Sequence, residues 1–259
     1  MDTIAFIKRV PDTSEADAIK IDASGMDIER AGLTFKINNW DEYVLEAAAQ
    51  LKEKLGGTFT AVTVGNKDWN DVLRRALAMG ADKAIRIDED VSSLEPNAVA
   101  LILKAVIKPL PFDLLLLGAQ SEDFGSGQLG VTVAEMLGIP HAALVVGMEP
   151  GEKNLRIRRE LEEGTLESYT IELPALLTIQ TGINQPRYIS LSGIRRATKM
   201  EIQVLSLGDI GLSREGIIPK LKLEKMELPP KGKKAELLSG SPGESAAKLA
   251  KILQSAGIF

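Results

Sequence analysis

"DLLLLGAQSEDFGSGQLGVTVAEML", residues 113–137, contains the pattern that decides the fold. A short apolar run is followed by a glycine-rich loop, and the loop leads into residues with helical spacing of apolar side chains. A run of this length before a loop and a helix is typical of a buried strand in an α/β protein. The stretch therefore predicts one strand–loop–helix unit, with the glycines at the carboxyl end of the strand.

Similar units fill the first 150 residues. Helical patterns cover 38–57, 67–81 and 96–108, and the first of these predicts Asn39 as N-cap, Leu55 on the inner face and Gly56 beyond the end. Strands are predicted at 3–10, 59–65, 83–88, 113–118 and 142–148. This alternation predicts an α/β fold with a doubly wound, mostly parallel sheet.

The pattern changes after Pro150. Residues 154–161, 166–173 and 175–180 alternate polar and apolar side chains and predict an antiparallel extension. Beyond 205 the chain is rich in proline, lysine and glycine before a helical pattern near its end. We therefore predict an α/β nucleotide-binding domain over 1–205 and an extended arm with a terminal helix over 206–259. The leucines of the arm need cover, from a partner subunit or from the chain's own domain.

Composition excludes several classes of function. The formal net charge is -5, so there is no basic surplus for nucleic acid. The local basic clusters, at 156–159 and 195–199, are interpreted as solvated faces. There is no cysteine and one histidine, which excludes thiolate chemistry and Cys/His metal sites. His141 follows Pro140 without a nucleophile elbow, so it is interpreted as a strand-end residue.

The sequence predicts no membrane insertion. The first residues, "MDTIAFIKRV", lack a basic segment followed by an apolar one, and no apolar run reaches the roughly 18 residues of a membrane span. The expected location is cytoplasmic, or a matrix-like compartment in a eukaryote.

The end of the glycine-rich loop, 125–130, spells G-x-G-x-x-G. An acidic residue, Glu149, follows about 20 positions later, as in a dinucleotide fingerprint. However, the motif follows the fourth predicted strand and its loop is longer than a Rossmann turn. Free backbone N–H groups at the start of the next helix would still suit a phosphate. We therefore predict phosphate binding and drop the NAD fingerprint; a glycine loop without ligand is the alternative.

Other strand ends should meet this loop, since ligands in open α/β sheets bind at the carboxyl ends of strands. These are Phe6 to Arg9, Val64 to Asn66 and the helix start Asn38 to Asp41. Together they offer an apolar floor with amide and carboxylate edges for adenine or ribose. For Asn39 and Trp40, a helix cap and a buried aromatic are equally good interpretations.

Several motifs together resemble one family. Residues 158–202 contain R-E-x-E-x-G, L-P-A-x-x-T, N-x-P-R-Y and L-x-x-I-x-x-A, and "KRVPDT", "NNWDE" and "LAMGADKAIRI" precede them in family order. The chain resembles the electron transfer flavoprotein β subunit over essentially its whole length, and it is most similar to the type that pairs with bacterial dehydrogenases.

The resemblance implies an adenine nucleotide α-hydrolase-like fold and a heterodimer with an α subunit. The FAD held mainly by that α subunit accepts electrons from acyl-CoA or similar dehydrogenases and passes them to a quinone oxidoreductase. It also implies a bound AMP. By position, the AMP contacts are Phe6, Asn38, Asn39, Trp40, Asp41, Val64, Asp123, Gly125, Ser126, Gly127, Gln128, Leu129, Gly130, Val131 and Thr132.

The resemblance further implies a recognition loop near 184–200. Its leucine anchor matches Leu191, with Tyr188, Ile194 and Arg195 as further partner-binding residues. An exposed leucine can fill a partner's pocket, whereas a leucine packed on its own domain is the alternative. Glu160 matches the residue that interacts with the mobile flavin domain, and Thr13 lies near the flavin. No residue is expected to be catalytic, so the chain is an electron carrier and not an enzyme.

Two departures from the family pattern leave alternatives open. The loop reads S-E-D-F-G-S-G-Q where many members have A-I-D-x-D-x-x-Q, so phosphate contacts are redistributed. "VPDT", 10–13, is similar to bifurcating members that carry a second FAD in place of AMP, whereas Asn39 and Trp40 favour AMP. The rivals are a stand-alone adenine-nucleotide-binding regulatory module and, third, an NAD-dependent enzyme.

Overall fold

A computed structural model describes residues 1–14, 19–91, 94–221, 223–229 and 235–258. The chain divides into two compact units, Met1–Lys225 and Met226–Phe259. The first unit contains the sheet, and the second contains one helix.

Most strands belong to one sheet. The strands are β1 (Thr3–Phe6), β2 (Arg9–Pro11), β3 (Phe35–Ile37), β4 (Phe59–Val64), β5 (Lys83–Ile87), β6 (Leu114–Gly118), β7 (His141–Pro150), β8 (Asn154–Glu160), β9 (Leu166–Glu172), β10 (Ala175–Ile179) and β11 (Gln203–Leu205). Within the described ranges, nine of them form a sheet in the order β11-β5-β4-β1-β6-β10-β7-β8-β9. The pairings from β11 to β7 are parallel, and β8 and β9 are antiparallel. The predicted α/β class with a mostly parallel sheet is confirmed.

Helices of the first unit cover both faces of the sheet. The helices of this unit are α1 (Asn39–Leu55), α2 (Asn70–Met79), α3 (Pro96–Ile107), α4 (Leu129–Leu137) and α5 (Leu191–Lys199), and the second unit contains α6 (Pro242–Ser255). Apolar side chains of α1 and α2 form one core with one face of the sheet. Side chains of α3 and α4 form a second core with the other face. The fold is therefore doubly wound, as the alternating sequence pattern predicts.

The predicted strand 3–10 is wrong in its second half. β1 ends at Phe6, and β2 leaves the main sheet to pair with β3 in a two-stranded antiparallel sheet. The break has a physical cause, because the backbone N–H of Lys8 donates to Asp41 Oδ2 at 2.7 Å instead of to a neighbouring strand. The side chain of Asp41 therefore ends the ladder of β1.

The antiparallel prediction is confirmed for β8 and β9 but wrong for β10. All five residues of β10 are buried, and the strand lies parallel to both β6 and β7 in the centre of the sheet. A strand buried on both faces reads as a continuous apolar run, which is typical of parallel sheets. The run "ALLTI" has this apolar pattern. The prediction failed because it assigned the direction of the strand from the antiparallel strands that precede it in sequence.

Two details of α1 also differ from the prediction. The N-cap position is Asn38, not Asn39, and the Asn38 side chain makes no capping hydrogen bond to the helix. Leu55, predicted on the inner face, is exposed in the last turn. Gly56 follows the helix as predicted. The amide of Asn38 is used elsewhere, in the crevice described below.

The second unit contains the predicted terminal helix. Ser241 and Glu244 form a capping box at the start of α6, and Pro242 occupies its first turn. Leu228 and Leu237 are exposed. In the first unit, Leu207 and Ile217 are buried in the core beside α3, so part of the stretch that follows 205 packs on the sheet domain.

Candidate functional site

The crevice of interest lies where β1 meets β6. The chain leaves β1 through α1 to β4 on one side, whereas β6 pairs with β1 on the other side. This is a switch point of the strand order, where ligands of open α/β sheets bind outside the carboxyl ends. The ends of β1, β4 and β6 and the loop of residues 118–128 meet here, as the sequence predicts.

Gly118 allows the loop to approach α1 closely. An added Cβ would lie 2.4 Å from Asp41 Oδ1 and 2.8 Å from Trp40 Cβ, so no side chain fits. Asn38 ties the two segments together, because its Nδ2 donates to the carbonyl oxygen of Gln120 at 2.9 Å and its Oδ1 accepts from the N–H of Glu122 at 3.1 Å. The Asn38 amide thus holds the loop against the start of α1.

The loop presents a group of free donors. Gly125 and Gly127 have positive φ, which glycine adopts without strain, and α4 begins at Leu129 without a side-chain cap. In the part of the chain that the structure describes, the backbone N–H groups of residues 126–131 find no hydrogen-bond acceptor. Unpaired N–H groups at a helix N-terminus attract anions, because the donors and the helix dipole act together. This arrangement fits the predicted phosphate site.

Gly130 and Thr178 determine how closely α4 lies on the sheet. An added Cβ at Gly130 would lie 2.3 Å from Thr178 Cγ2 in β10. A side chain there would push the first turn of α4 away from the strand. The glycines therefore have two structural roles. Gly125 and Gly127 allow the loop to turn, and Gly130 allows α4 to pack closely against β10.

Lys8 lies in the predicted strand end 6–9, but the sequence analysis gave it no role of its own. Its Nζ lies 2.6 Å from Asp123 Oδ1 and 3.4 Å from Ser121 Oγ, and it sits 4.5 Å from the centre of the Phe124 ring. Asp123, a predicted nucleotide contact, is therefore already paired with a cation. The sequence feature that could have identified Lys8 is a basic residue two positions after the end of β1. Lys8 offsets the negative charge of Asp123 in the loop that would receive a phosphate.

Asp41 is a buried carboxyl group at the start of α1. It is 3 % exposed, and its Oδ2 accepts from the N–H of Lys8. Burial raises the pKa of Asp41 to about 7, although the hydrogen bond from Lys8 opposes that shift. The predicted site residue Asp41 therefore lies inside the wall of the crevice.

We expect Asp41→Asn to remove a pH dependence of stability. The folded pKa of about 7 lies above the ordinary value of 3.8, so the folded state holds a proton that the unfolded state has lost. The contribution is present below about pH 4 and is lost as the pH rises towards 7. Between pH 5 and 7, the variant should gain on the order of 2 kcal/mol of unfolding free energy relative to the original protein. Denaturant unfolding at several pH values measures this difference, and a difference independent of pH would contradict it.

The other predicted nucleotide contacts differ in exposure. Phe6 and Val64 are buried at the ends of their strands, within the core shared with α3 and α4. Asn39 is exposed, and Trp40 is half-buried with its Nε1 donating to Gln180 Oε1 at 2.7 Å. Thr13 is exposed after β2, and among the described residues no hydrogen bond joins its side chain to the crevice. The structure brings Phe6, Val64 and residues 38–41 to the crevice, and it shows no such link for Thr13.

Glu160, the last residue of β8, is linked to the same crevice. Its Oε2 accepts from Gln180 Nε2 at 3.3 Å, and Gln180 is the residue that bonds Trp40. The sequence analysis did not identify Gln180. Only the position of β10 beside β7 brings its amide between these two side chains.

The predicted recognition loop forms a platform on α2. Arg196 donates to the carbonyl oxygen of Leu77 at 2.8 Å, and Arg74 donates to the carbonyl oxygens of Ala197 and Met200. At Gly193, an added Cβ would lie 2.7 Å from the Ala78 carbonyl oxygen, so α5 approaches α2 closely. Helix α5 is therefore held by its backbone as well as by the buried Ala197.

Apolar side chains on this platform point to solvent. Tyr188 is 98 % exposed, Leu191 75 % and Ile194 46 %, and Arg195 is also exposed. Leu191 does not pack on its own domain, which removes the alternative interpretation of this residue. Adjacent exposed apolar side chains of this kind mark interaction sites.

An ion-pair network anchors the residues just before α5. Nε and Nη2 of Arg187 contact the two carboxylate oxygens of Glu46 at 2.7 and 3.0 Å, and its Nη2 lies 3.1 Å from Glu53 Oε2. Asn184 adds a hydrogen bond to the carbonyl oxygen of Tyr43 at 2.9 Å. Glu46 is almost fully buried. Burial alone would raise the pKa of Glu46, but the hydrogen bonds from Arg187 outweigh it and hold the pKa below its ordinary value.

Two kinds of site are not found in the described ranges. No group of three or more His, Cys, Asp or Glu side chains is arranged to hold a metal ion there. No helix of those residues has the length and apolar character needed to cross a bilayer.

Comparison with known proteins identifies the family. The electron transfer flavoprotein domain matches residues 25–210. The protein named electron transfer flavoprotein subunit beta of Bacillus subtilis is 40% identical over 257 residues, covering 98% of both chains. Proteins of the same name from Methylophilus methylotrophus (37%, 98% of both chains) and Mus musculus (32%, 88% of both chains) are also similar. The names of these relatives describe electron carriers. Because the relatives match nearly the full length of the chain and the doubly wound sheet fits the domain, the chain belongs to the electron transfer flavoprotein β-subunit family.

Proposed function

We propose that the chain is the β subunit of a heterodimeric electron transfer flavoprotein and binds AMP in the crevice between β1 and β6. One observation carries the proposal: the free N–H groups of residues 126–131 lie at the head of α4, beside the close approach of Gly118 to α1. These donors would hold the phosphate, and Lys8 would offset the negative charge of Asp123 in the same loop. Asn39 and Trp40 would border the adenosine, above a floor that includes Phe6 and Val64.

AMP in this role is structural. It would pair donors that find no acceptor among the described residues, and it would join α4 to the start of α1. A ligand that binds only the folded state stabilises it by mass action. FAD, when bound, supplies the electron transfer. The residues of this chain bind AMP, help to orient the FAD and dock on the dehydrogenase.

The proposed electron route involves three partners. The α subunit holds most of the FAD, and this chain completes the FAD site, with Thr13 as the predicted contact. Flavin dehydrogenases donate electrons and a quinone oxidoreductase receives them. Glu160 would contact the mobile flavin domain, and the arm that ends in α6 would pack on the α subunit, where its exposed leucines find cover.

Counting bound cofactors tests this proposal. The chain is co-purified with its α subunit, and flavin and AMP are extracted and measured per heterodimer. One flavin and one AMP would support the proposal. Two flavins would favour a bifurcating protein with a second FAD in place of AMP, the alternative that "VPDT" at 10–13 suggests. A colourless homodimer that releases ATP or AMP would instead indicate a stand-alone regulatory module.

We expect Leu191→Ala to weaken docking to a dehydrogenase about tenfold. Leu191 is exposed on a helix that is fixed to α2, so its side chain can enter a partner's pocket with little loss of conformational freedom. Truncating an exposed side chain leaves the fold intact. The measurement is the concentration dependence of flavin reduction by the dehydrogenase, together with the thermal midpoint of the heterodimer.

Leu55→Ala is the control for this prediction. Leu55 is exposed in the last turn of α1, and it lies outside both the recognition loop and the arm. Equal effects of the two substitutions would argue against a specific docking role for Leu191.

A further inference from the structure

Gln180 connects the nucleotide crevice to the carboxylate of Glu160. It directly follows β10, and its Oε1 accepts hydrogen bonds from Trp40 Nε1 at 2.7 Å and from the N–H of Thr181 at 3.0 Å. Its Nε2 donates to Glu160 Oε2 at 3.3 Å. Two consecutive side-chain hydrogen bonds therefore join the first turn of α1 to the end of β8.

The chemistry of these groups allows one orientation of the Gln180 amide. Indole and backbone N–H groups can only donate, and an ionised carboxylate can only accept. The Gln180 oxygen must therefore face Trp40 and Thr181, and its NH₂ group must face Glu160. Turning the amide over would place donor against donor and oxygen against oxygen, which leaves every partner unsatisfied. Gln180 thus holds both neighbours in a defined arrangement.

Within the described residues, Glu160 has an anchor but no cation of its own. None of the ion pairs within the described ranges includes Glu160, and the adjacent Arg159 pairs with Glu167 at 2.6 Å. The neutral amide of Gln180 fixes one oxygen without cancelling the charge. A half-buried carboxylate held in this way can accept a charge-assisted hydrogen bond from a cation outside the chain, with little ordering cost.

We infer that Gln180 is a positioning residue: it holds Glu160 so that the free oxygen receives a cationic side chain of the partner's flavin-binding domain. Its bond to Trp40 makes the position of Glu160 depend on the start of α1, which is a wall of the nucleotide crevice. The inference rests on the proposed function, in which Glu160 faces that domain. It adds a physical connection between the nucleotide crevice and the interdomain contact.

Spin-label distances in the intact heterodimer test the inference. The chain contains no cysteine, so Lys153→Cys in the exposed β7–β8 turn provides a single labelling site. A second label is placed on the flavin-binding domain of a cysteine-free α subunit. Glu160→Gln should broaden the distance distribution. Gln180→Leu should broaden it by at least half as much, and the double variant should show no further change, because both substitutions interrupt the same contact.

Two further variants separate positioning from general loss of packing. Trp40→Phe keeps an aromatic ring but removes the N–H, so it should broaden the distribution in the same direction by a smaller amount. Gln203→Leu changes an exposed glutamine on the edge strand β11 and should leave the distribution unchanged. The indole N–H resonance of Trp40 gives an independent spectroscopic readout: it should shift in Gln180→Leu and stay in place in Gln203→Leu.

The outcomes distinguish failure of the inference from failure of the proposed interdomain contact. If Glu160→Gln broadens the distribution and Gln180→Leu matches the original protein, the positioning role is overturned and the Glu160 contact stands. If Glu160→Gln itself has no effect, the interdomain role of Glu160 fails, and the inference fails with it. An unchanged Trp40 resonance in Gln180→Leu would also overturn the inference, since the hydrogen bond would be absent in solution.

Discussion

Arg187→Ala is expected to lower the free energy of unfolding by about 3 kcal/mol, because it leaves the buried carboxylate of Glu46 without its cation. Removing one partner of a buried ion pair typically costs about 3 to 5 kcal/mol, and the lower end applies here because Arg187 is partly accessible to water. Glu46 would also lose the two hydrogen bonds from the Arg187 side chain and would keep the one from the backbone N–H of residue 187. Denaturant unfolding followed by tryptophan fluorescence measures the effect.

The double variant Arg187→Ala with Glu46→Gln is the control. It removes the unpaired charge together with the arginine, so it should recover part of the lost stability. No recovery would show that the loss comes from arginine packing and not from the buried charge. Because the pKa of Glu46 lies below its ordinary value of 4.5, the ion pair stabilises the fold above about that pH and loses this effect as the pH falls further.

The same substitution should also impair docking. Arg187 fixes the segment that leads into α5, where Leu191 is exposed. Without this anchor the segment gains conformational freedom, and that freedom is lost again on binding. We expect flavin reduction by the dehydrogenase to be slower with Arg187→Ala than with the original protein. The difference should persist at a temperature well below both thermal midpoints, where the variant and the original protein are fully folded.

Gly118→Val should remove AMP from the purified protein and lower the free energy of unfolding by about 3 kcal/mol. Even a Cβ at this position would lie 2.4 Å from Asp41 Oδ1, and the Asp41 carboxyl group cannot yield because it is buried and bonded to the N–H of Lys8. The loop must therefore move away from α1, and the donors at residues 126–131 move with it. The measurements are the AMP content per heterodimer and the unfolding midpoint.

Gly216→Val is the matched control for this substitution. Among the described residues, an added Cβ at Gly216 would have only Ser213 Oγ within 4 Å, at 3.8 Å, and Gly216 lies far along the chain from the loop. It should keep AMP and lose little stability. Retention of stoichiometric AMP by Gly118→Val would contradict the crevice as the nucleotide site.

The features that the sequence predicted and those that only the structure settled depend on different information. The strand–loop–helix units were predictable because apolar periodicity is set by neighbouring residues, and the family was predictable because its motifs are short and continuous. The positions of the glycine loop and residues 38–41 at one sheet edge followed from the rule that parallel strands end together. The exposure of Leu191, by contrast, was one of two open interpretations until the platform on α2 was seen.

The sequence by itself determined the α/β class, the glycine loop at the end of β6, the hairpin of β8 and β9, and the family. Only the tertiary structure decided the parallel direction of β10, the early end of β1 and the contacts of Lys8, Gln180 and Arg187. The reason is sequence separation: Lys8 meets Asp123 across 115 positions, Trp40 meets Gln180 across 140, and Arg187 meets Glu46 across 141. Local periodicity carries no information about such pairs, because the order of the strands brings them together.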